Sequence, residues 1–307
     1  MATTVYTLYE GHYSLGVGAL LNSLLNKGFV GTYAVAYRGK LPDWTSKLKQ
    51  QGPDEYSVAG VRVKFIPLNP PMHLRFYKSF LGLELYEKYC PDTGSLFYFD
   101  PDIVIKADWS FYESWAEKGI ALCIDNAFGI LPSDHPWRAE WAQIGSRTGL
   151  RVRREQNFYY NGGFFGLTRD KLDFLRLWRD LTYSFRDMGG DVVGSKSTDR
   201  KRAVVGDQDL MNAAIMFTEL PLSCVGPDGM DFGGYGGYLM SHAVYGIKPW
   251  VKNFTLDLFK TGNAPSLADK EFMKNISAPI QLFSPVEERL KRANIKVASA
   301  LGRVVGR

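Results

Sequence analysis

The 307-residue sequence is 45% hydrophobic and 22% charged with a formal net charge of +5, which is typical of a folded globular protein of one large domain or two closely associated halves. It has no dense basic tract that would indicate nucleic-acid binding, and its three widely separated cysteines form no disulfide framework, which favours a reducing compartment. Because the N-terminus lacks a signal-peptide pattern and no run of about 20 residues is apolar, we expect a cytoplasmic protein without a transmembrane helix.

Apolar and amphipathic runs alternate along the chain. The apolar runs predict strands at 4–9, 32–38, 61–68, 95–105, 119–125 and 157–168. Runs with helical periodicity predict helices at 17–28, 75–89 and 171–185. We therefore expect an α/β fold in which a mainly parallel central sheet is flanked by helices. A segment rich in Gly, Ser and charge at 189–206 is either a surface loop or a lid near a binding site.

The C-terminal segment 285–307 has a distinct amphipathic pattern. Five apolar residues share one helical face and four basic residues surround them, namely Leu290, Ala293, Val297, Leu301 and Val304, and Arg289, Arg292, Lys296 and Arg303. The first interpretation is a helix packed on the body of the protein. The alternative is an interfacial helix on anionic lipid, which would make the protein peripheral to the inner face of a membrane.

The clearest chemical signal is a pair of carboxylates, Asp100 and Asp102, directly after the apolar run 95–99. Divalent ions such as Mg²⁺ and Mn²⁺ take oxygen ligands and bridge phosphates. Because ligands of open α/β sheets bind at the carboxyl ends of strands, two carboxylates at this spacing can turn toward one ion. The alternative is an ordinary Asp-Pro turn, since a bare Asp-x-Asp pattern is common by chance.

A second signal lies at His242, with Gly246 and Lys248 downstream. A neutral imidazole can complete a carboxylate site and favours Mn²⁺ over Mg²⁺. Lys248 can neutralise a diphosphate as a point charge, and Gly246 lets the backbone approach the phosphates. The alternative is a structural histidine, which is the commoner role of an isolated one.

Two polar motifs lie in the second half of the chain. Asn161, before a pair of glycines, is either a sugar-hydroxyl ligand or the capping residue of a bulged strand. The sequence Asp207-Gln208-Asp209 reads as a helix start with Asp207 at the N-cap, and such a start can also face a pocket. A basic run at 147–154 is either a solvated face or a contact for an anionic acceptor.

Taken in order, these motifs resemble glycosyltransferase family 8, the retaining GT-A group that includes bacterial galactosyl- and glucosyltransferases and glycogenin. That family opens with a strand, an acidic residue and a tyrosine three positions later, matched here by Glu10 and Tyr13, although Asp is usual at the first of these positions. The resemblance implies that Tyr13 stacks on uracil and Glu10 reads its edge, with Thr7 as a further base contact. It covers about residues 4–250.

The resemblance also implies the remaining site residues. It implies an Mn²⁺ (or Mg²⁺) ion held by Asp100, Asp102 and His242, with Gly246 and Lys248 at the diphosphate. Lys78, or else Arg75, stands for the family's arginine on the helix before the Asp-x-Asp pair, which implies that Lys78 contributes to binding the nucleotide-sugar. The residues implied around the sugar are Asp125, Asn161, Asp207 and Gln208, with Gln208 beneath the anomeric carbon.

The implied function is transfer of a hexose from a UDP-sugar to a saccharide or glycoconjugate acceptor, with retention. Inversion would instead need a carboxylate base such as Asp125 or Asp207. The implied layout is a GT-A catalytic domain at 1–255, with nucleotide-sugar binding at about 1–110 and the acceptor side at 111–255, and a helical extension at 256–307. The alternatives are a nucleotidyltransferase, disfavoured because the first strand leads into an acidic and aromatic segment, and an inactive nucleotide-sugar-binding protein.

Overall fold

The computed structural model describes residues 2–194, 203–232, 236–244 and 246–305. Its strands are β1 (Ala2–Glu10), β2 (Thr32–Arg38), β3 (Lys49–Gln50), β4 (Glu55–Val58), β5 (Val61–Pro67), β6 (Thr93–Phe99), β7 (Ile103–Ile105), β8 (Ile120–Cys123), β9 (Phe164–Thr168), β10 (Leu222–Val225) and β11 (Met240–His242). Its α-helices are α1 (Ser14–Asn26), α2 (Lys78–Glu84), α3 (Trp109–Lys118), α4 (Pro136–Ser146), α5 (Asp173–Asp187), α6 (Asp207–Met216), α7 (Phe254–Thr261), α8 (Leu267–Lys274) and α9 (Pro285–Val305). None of these helices combines the length and apolar character needed to span a bilayer.

The chain has an α/β fold in which helices flank a large central sheet, as the alternation of apolar and amphipathic runs predicted. We expected a mainly parallel sheet, whereas the observed sheet is mixed, with antiparallel pairs at β3–β4, β4–β5, β6–β9 and β8–β9. It divides into two compact units. The first comprises residues up to Leu8, Pro67–Phe99 and Phe111–Pro227, and the second comprises Tyr9–Ile66, Asp100–Ser110 and residues from Asp228 onward. The domain boundaries suggested by the sequence at 110 and 255 stay predictions.

The first unit contains strands in the order β10-β8-β9-β6-β1. β1 and β6 are parallel, as are β8 and β10, whereas β9 runs antiparallel to both of its neighbours. The interior is largely aromatic: the Tyr98 and Phe165 rings are stacked with centroids 5.6 Å apart, and Phe165 meets the edge of Trp178 on α5 at 5.6 Å. This apolar layer fixes the sheet against α5.

The second unit contains strands in the order β2-β5-β4-β3 and a separate two-stranded ribbon of β7 and β11. Helix α1 is buried from Gly16 to Leu24 and packs against β7. The side chain of Tyr13, its N-cap residue, makes no capping hydrogen bond with the described residues. On α1, Ser23 Oγ accepts a hydrogen bond from the backbone N–H of Ile105 at 3.0 Å. The ribbon is therefore tied to a buried helix, and this fixes the turn that precedes β7.

Three predicted elements differ from the observed ones by more than a shift of a few residues at their ends. The single strand predicted at 95–105 is two strands, β6 and β7, interrupted by a turn at Asp100–Asp102. The strand predicted at 157–168 is regular only from Phe164 onward, because the Asn161–Gly163 segment turns to make side-chain hydrogen bonds. The helix predicted at 75–89 is helical throughout, but it changes from a 3-10 turn to α and then π geometry.

Candidate metal centre and polar cluster

The turn between β6 and β7 brings two carboxylates to one place. The backbone N–H of Ile103 donates to the carbonyl oxygen of Asp100 at 3.0 Å, which closes the turn around Pro101. Proline has a fixed φ and no N–H group, so it suits this position, where the ladder is interrupted. The side chains of Asp100 and Asp102 therefore flank one short turn instead of continuing the alternation of a strand.

The β7–β11 ribbon carries the histidine to the same turn. In this antiparallel pair, His242 lies opposite Ile103, and the N–H of Ala243 donates to the carbonyl oxygen of Asp102 at 3.0 Å. Directly opposed residues in an antiparallel pair lie close together. Backbone pairing thus bridges the long sequence separation between Asp102 and His242.

The three side chains form a cluster that can hold a metal ion. His242 Nε2 is 3.1 Å from Asp102 Oδ1 and 3.8 Å from Asp100 Oδ2. One ligand atom from each residue lies within 4.8 Å of the others. Two carboxylates and an imidazole are a donor set suited to a divalent ion such as Mn²⁺ or Mg²⁺. His242 is buried, which limits the rotamers available to its ring.

Lys248 completes the charge arrangement. Its Nζ lies 2.7 Å from Asp102 Oδ2 and donates to the carbonyl oxygens of Ala243 at 2.6 Å and Val244 at 3.3 Å. Burial opposes ionisation of Asp102, but His242 and Lys248 outweigh it and hold the pKa of that carboxyl well below its usual range. Asp102 is therefore an anion at neutral pH, and a positive group already faces the turn.

Aromatic side chains form one wall beside this cluster. The Tyr13 ring meets the edge of Trp250 with centroids 5.4 Å apart, and Lys248 Nζ lies 5.9 Å from the Tyr13 centroid. Of the other residues proposed for the nucleotide, Glu10 lies 3.4 Å from Arg38 Nη1 in the same unit. Gly246 has a φ of +64°, which requires a residue without a side chain or a strained one.

Thr7 and Lys78, the two remaining residues proposed for the nucleotide, belong to the first unit. The Thr7 side chain is buried, and its hydroxyl has no hydrogen-bond partner among the described residues. Lys78 Nζ contacts the carboxylate of Asp207 and the carbonyl oxygen of Gly162. Tyr245, within the His242 motif, lies outside the described residues.

Gly16 on α1 sets the distance between this helix and the metal-site turn. A Cβ atom at Gly16 would overlap the carbonyl oxygen of Pro101 and lie 2.8 Å from the Trp250 ring. Ala is normally favoured over Gly inside a helix. Here we expect Gly16→Ala to lower the free energy of unfolding by about 1–3 kcal/mol, because the added methyl group overpacks the contact with the turn.

Urea unfolding of Gly16→Ala measures this effect, with Gly52→Ala as the control, since a Cβ at Gly52 has no atom closer than 3.9 Å. If Gly16→Ala is as stable as Gly52→Ala, the turn does not depend on close approach of α1.

The polar residues of the first unit form a hydrogen-bonded cluster. Asn161 Nδ2 donates to Asp125 Oδ2 at 2.7 Å, and Gln208 Nε2 donates to the same oxygen at 3.2 Å. Gln208 Oε1 accepts from the N–H of Gly162 at 2.7 Å. A Cβ at Gly162 would lie 3.1 Å from that of Gln208, so the glycine allows this close approach. The structure thus brings Asp125, Asn161 and Gln208 together.

Asp207, the first residue of α6, is held between two cations. Arg75 Nε lies 3.0 Å from Asp207 Oδ1, and Lys78 Nζ lies 2.9 Å from Oδ2. Lys78 Nζ also donates to the carbonyl oxygen of Gly162 at 2.8 Å, which connects this triad to the polar cluster. Burial opposes ionisation of Asp207, but Lys78 and Arg75 lower the pKa of its carboxyl overall. The sequence offered Lys78 and Arg75 as alternatives, whereas both contact Asp207.

The start of α6 corrects one residue of the sequence interpretation. Gly206, not Asp207, occupies the N-cap position, and Asp209 Oδ2 accepts from the N–H groups of Val205 and Gly206 at 2.7 and 2.9 Å. The other oxygen of Asp209 accepts from the Tyr159 hydroxyl at 2.6 Å. No residue pattern in the sequence predicted the contact between Tyr159 and Asp209, because it joins a loop and a helix that are distant in sequence.

Burial raises the pKa of Asp209 to about 6, although its hydrogen bonds to Tyr159, Val205 and Gly206 favour the ionised form. An aspartate in an unfolded chain titrates at about 3.9. Between about pH 4 and 6 the folded state therefore binds this proton more tightly, so the contribution of Asp209 to stability falls as the pH rises.

We expect the free energy of unfolding of the wild type, minus that of Asp209→Asn, to fall by about 2–3 kcal/mol from about pH 4 to about pH 7. Urea unfolding of both proteins at several pH values measures this difference. A difference that does not change with pH would show that Asp209 titrates alike in the folded and unfolded chains.

Two further regions that the sequence singled out are the basic run at 147–154 and the segment 189–206. Arg147, Arg151 and Arg153 are exposed, while Arg154 Nη2 donates to the carbonyl oxygen of Leu220 at 2.7 Å. The segment 189–206 falls partly outside the described residues, at 195–202.

No protein-family model matches the chain, and no curated protein matches it. A function for this chain therefore has to be inferred from the chemistry of its side chains and from the resemblance of its motifs.

Proposed function

We propose that the chain is a metal-dependent glycosyltransferase with a GT-A layout, which transfers a hexose from a UDP-sugar to a saccharide or glycoconjugate acceptor. The observation that carries this proposal is the convergence of Asp100, Asp102 and His242, whose ligand atoms lie within 4.8 Å of one another. The order of the motifs along the chain, which resembles that of glycosyltransferase family 8, supports the choice of reaction.

In this proposal Asp100, Asp102 and His242 hold the ion, and the imidazole ligand favours Mn²⁺. When bound, such an ion supplies electrostatic stabilisation of the charge on a leaving diphosphate. Lys248 provides a second positive charge, fixed by two carbonyl oxygens and by Asp102. A lysine held in place in this way needs little reorganisation when negative charge develops.

The nucleotide contacts are assigned to Tyr13, Glu10 and Gly246. Tyr13 is half-buried, and the edge contact from Trp250 restrains its ring, so that a face can stack on a uracil base. Glu10 is placed at the edge of the base, and Gly246 at the diphosphate, where a residue without a side chain permits close approach. The further base contact at Thr7 stays a prediction, because the Thr7 side chain is fully buried.

The sugar contacts are assigned to the hydrogen-bonded polar cluster. Asp125, Asn161 and Gln208 offer carboxylate and amide groups whose mutual hydrogen bonds fix their orientation. Asp207 can accept from a sugar hydroxyl while Arg75 and Lys78 balance its charge. For transfer with retention, the departing phosphate oxygen takes the proton of the acceptor hydroxyl, so no strong protein base is required.

The experiment is incubation of the purified protein with UDP-glucose or UDP-galactose, with Mn²⁺ or with EDTA, while UDP release is followed. We expect Mn²⁺-dependent UDP release, and calorimetry should show that UDP binds more tightly with Mn²⁺ than without it. Binding of UDP-sugar without turnover on any acceptor would instead indicate a nucleotide-sugar-binding protein. Pyrophosphate release from UTP and a sugar phosphate would indicate a nucleotidyltransferase, and no UDP binding at all would refute the proposal.

A further inference from the structure

Within the second unit, helix α9 packs against its neighbours through a narrow face of small and apolar residues. Ile295 and Ala298 are buried, and a Cβ atom at Gly302 would lie 2.6 Å from that of Ala264. Asn294 extends the contact, since its Oδ1 accepts from the N–H of Phe254 at 2.6 Å and its Nδ2 donates to Thr255 Oγ1 at 2.8 Å. The helix is therefore anchored along one side by α7 and the loops around it.

The apolar face predicted to pack on the body is instead directed away from it. Leu290, Val297 and Val304 are 65%, 50% and 80% exposed, and they recur at intervals of seven residues. Residues seven apart lie almost one above the other on a helix. The helix therefore packs on the body, as the first interpretation predicted, but through Ile295, Ala298 and Gly302 and not through the predicted apolar face.

A basic row runs beside the apolar row. Arg289, Lys296 and Arg303 also recur at intervals of seven, each one position before a member of the apolar row, and all three are exposed. The other basic side chains of the helix have partners within it or in the same unit. Arg292 Nε lies 2.7 Å from Glu288, and Lys291 Nζ donates to the carbonyl oxygen of Trp250 at 2.7 Å.

Helix α7 adds further exposed apolar residues beside α9. Phe259 is 73% exposed and lies one helical turn beyond Thr255, the residue hydrogen-bonded to Asn294 of α9. Val286, in the first turn of α9, is also exposed and shares the helical face of Leu290 and Val297. Large apolar side chains clustered on an anchored helix mark a surface that is covered in use.

We propose that α9 docks this protein on the surface of an anionic phospholipid membrane. The row of Leu290, Val297 and Val304 would enter the boundary between headgroups and acyl chains. The row of Arg289, Lys296 and Arg303 would reach the phosphate groups beside it. Charge complementarity selects this occupant, because each Lys or Arg near an anionic surface adds attraction of roughly fivefold in affinity.

A second copy of the chain fits this face less well. A two-fold axis across antiparallel α9 helices would bring Arg289, Lys296 and Arg303 against the same row of the other copy. Like charges placed opposite one another oppose association. This inference does not depend on the proposed transferase activity.

The test is flotation of the full chain with phosphatidylcholine vesicles, with and without added phosphatidylglycerol. We expect binding to the anionic vesicles only, weakening as salt concentration rises. The triple variant Arg289→Gln, Lys296→Gln, Arg303→Gln should bind about 100-fold more weakly. The variant Leu290→Gln, Val297→Gln, Val304→Gln should lose binding while keeping its net charge.

The matched control removes three exposed cations elsewhere, with Lys49→Gln, Lys118→Gln and Arg176→Gln, and should bind like the wild type. Circular dichroism and thermal melting establish that each variant is folded, which is expected because the altered side chains are exposed. Equal flotation of the control and the basic-row variant would overturn the proposal. So would absence of binding to anionic vesicles, or self-association that the Leu290, Val297 and Val304 substitutions abolish.

Discussion

Replacing Asp102 by alanine is expected to weaken Mn²⁺ binding by roughly 100-fold or more, because the ion would lose a charged ligand and not only a supporting contact. Asp102 is the centre of its cluster, with His242 Nε2 at 3.1 Å and Lys248 Nζ at 2.7 Å. Its loss would leave Asp100 and His242 as the remaining ligands and Lys248 without its carboxylate partner. Titration with Mn²⁺, followed by electron paramagnetic resonance, measures this directly.

His242→Ala is also expected to weaken Mn²⁺ binding, since it removes the nitrogen ligand while leaving both carboxylates. The control is Asp108→Ala. Asp108 is a carboxylate of the same unit whose side chain is 85% exposed, and its oxygen lies as far as 3.9 Å from the Nζ of Lys27. Mn²⁺ binding by Asp102→Ala that equals that of the Asp108 variant would mean that the cluster is an ion-pair network without metal affinity. UDP release should follow Mn²⁺ affinity across the three variants.

Replacing Asp207 by alanine is expected to lower the free energy of unfolding by about 3–5 kcal/mol. The substitution would leave the buried Lys78 and the largely buried Arg75 facing each other without the carboxylate that balances them. Because the pKa of Asp207 is lowered in the fold, the stabilisation is complete at neutral pH. It is lost as the pH falls through the range in which that carboxyl takes up its proton.

Urea unfolding at neutral pH measures the loss, and Asp173→Ala provides the matched comparison. Asp173 forms an ion pair of 2.6 Å with Arg176, but both side chains are exposed, so its removal should cost less than about 1 kcal/mol. The loss of unfolding free energy for Asp207→Asn should lie between those of Asp207→Ala and Asp173→Ala, since the amide keeps a hydrogen-bond acceptor and loses the charge. Equal losses for Asp207→Ala and Asp173→Ala would show that burial does not strengthen the Asp207 triad.

Local patterns were sufficient to locate most of the regular elements. The strand at 32–38 is observed with the predicted bounds, and β1 and β5 lie within a few residues of theirs. These segments are buried β-branched and aromatic runs, whose preference for extended structure is the same before and after folding. The interrupted strand at 95–105 shows the limit, because apolar residues on both sides of Asp100 and Asp102 hid the change of partner from β1 to β11.

The sequence by itself determined the α/β alternation, the carboxylate pair at Asp100 and Asp102, and the two-sided character of the last helix. The resemblance of the motifs suggested His242 as a third ligand, but only the tertiary structure decided that it reaches that pair and that α9 presents Leu290 outward. The physical reason is the same in both cases. Periodicity records which residues are apolar or polar along one element, whereas partners distant in sequence are fixed by strand register and by how closely two backbones approach.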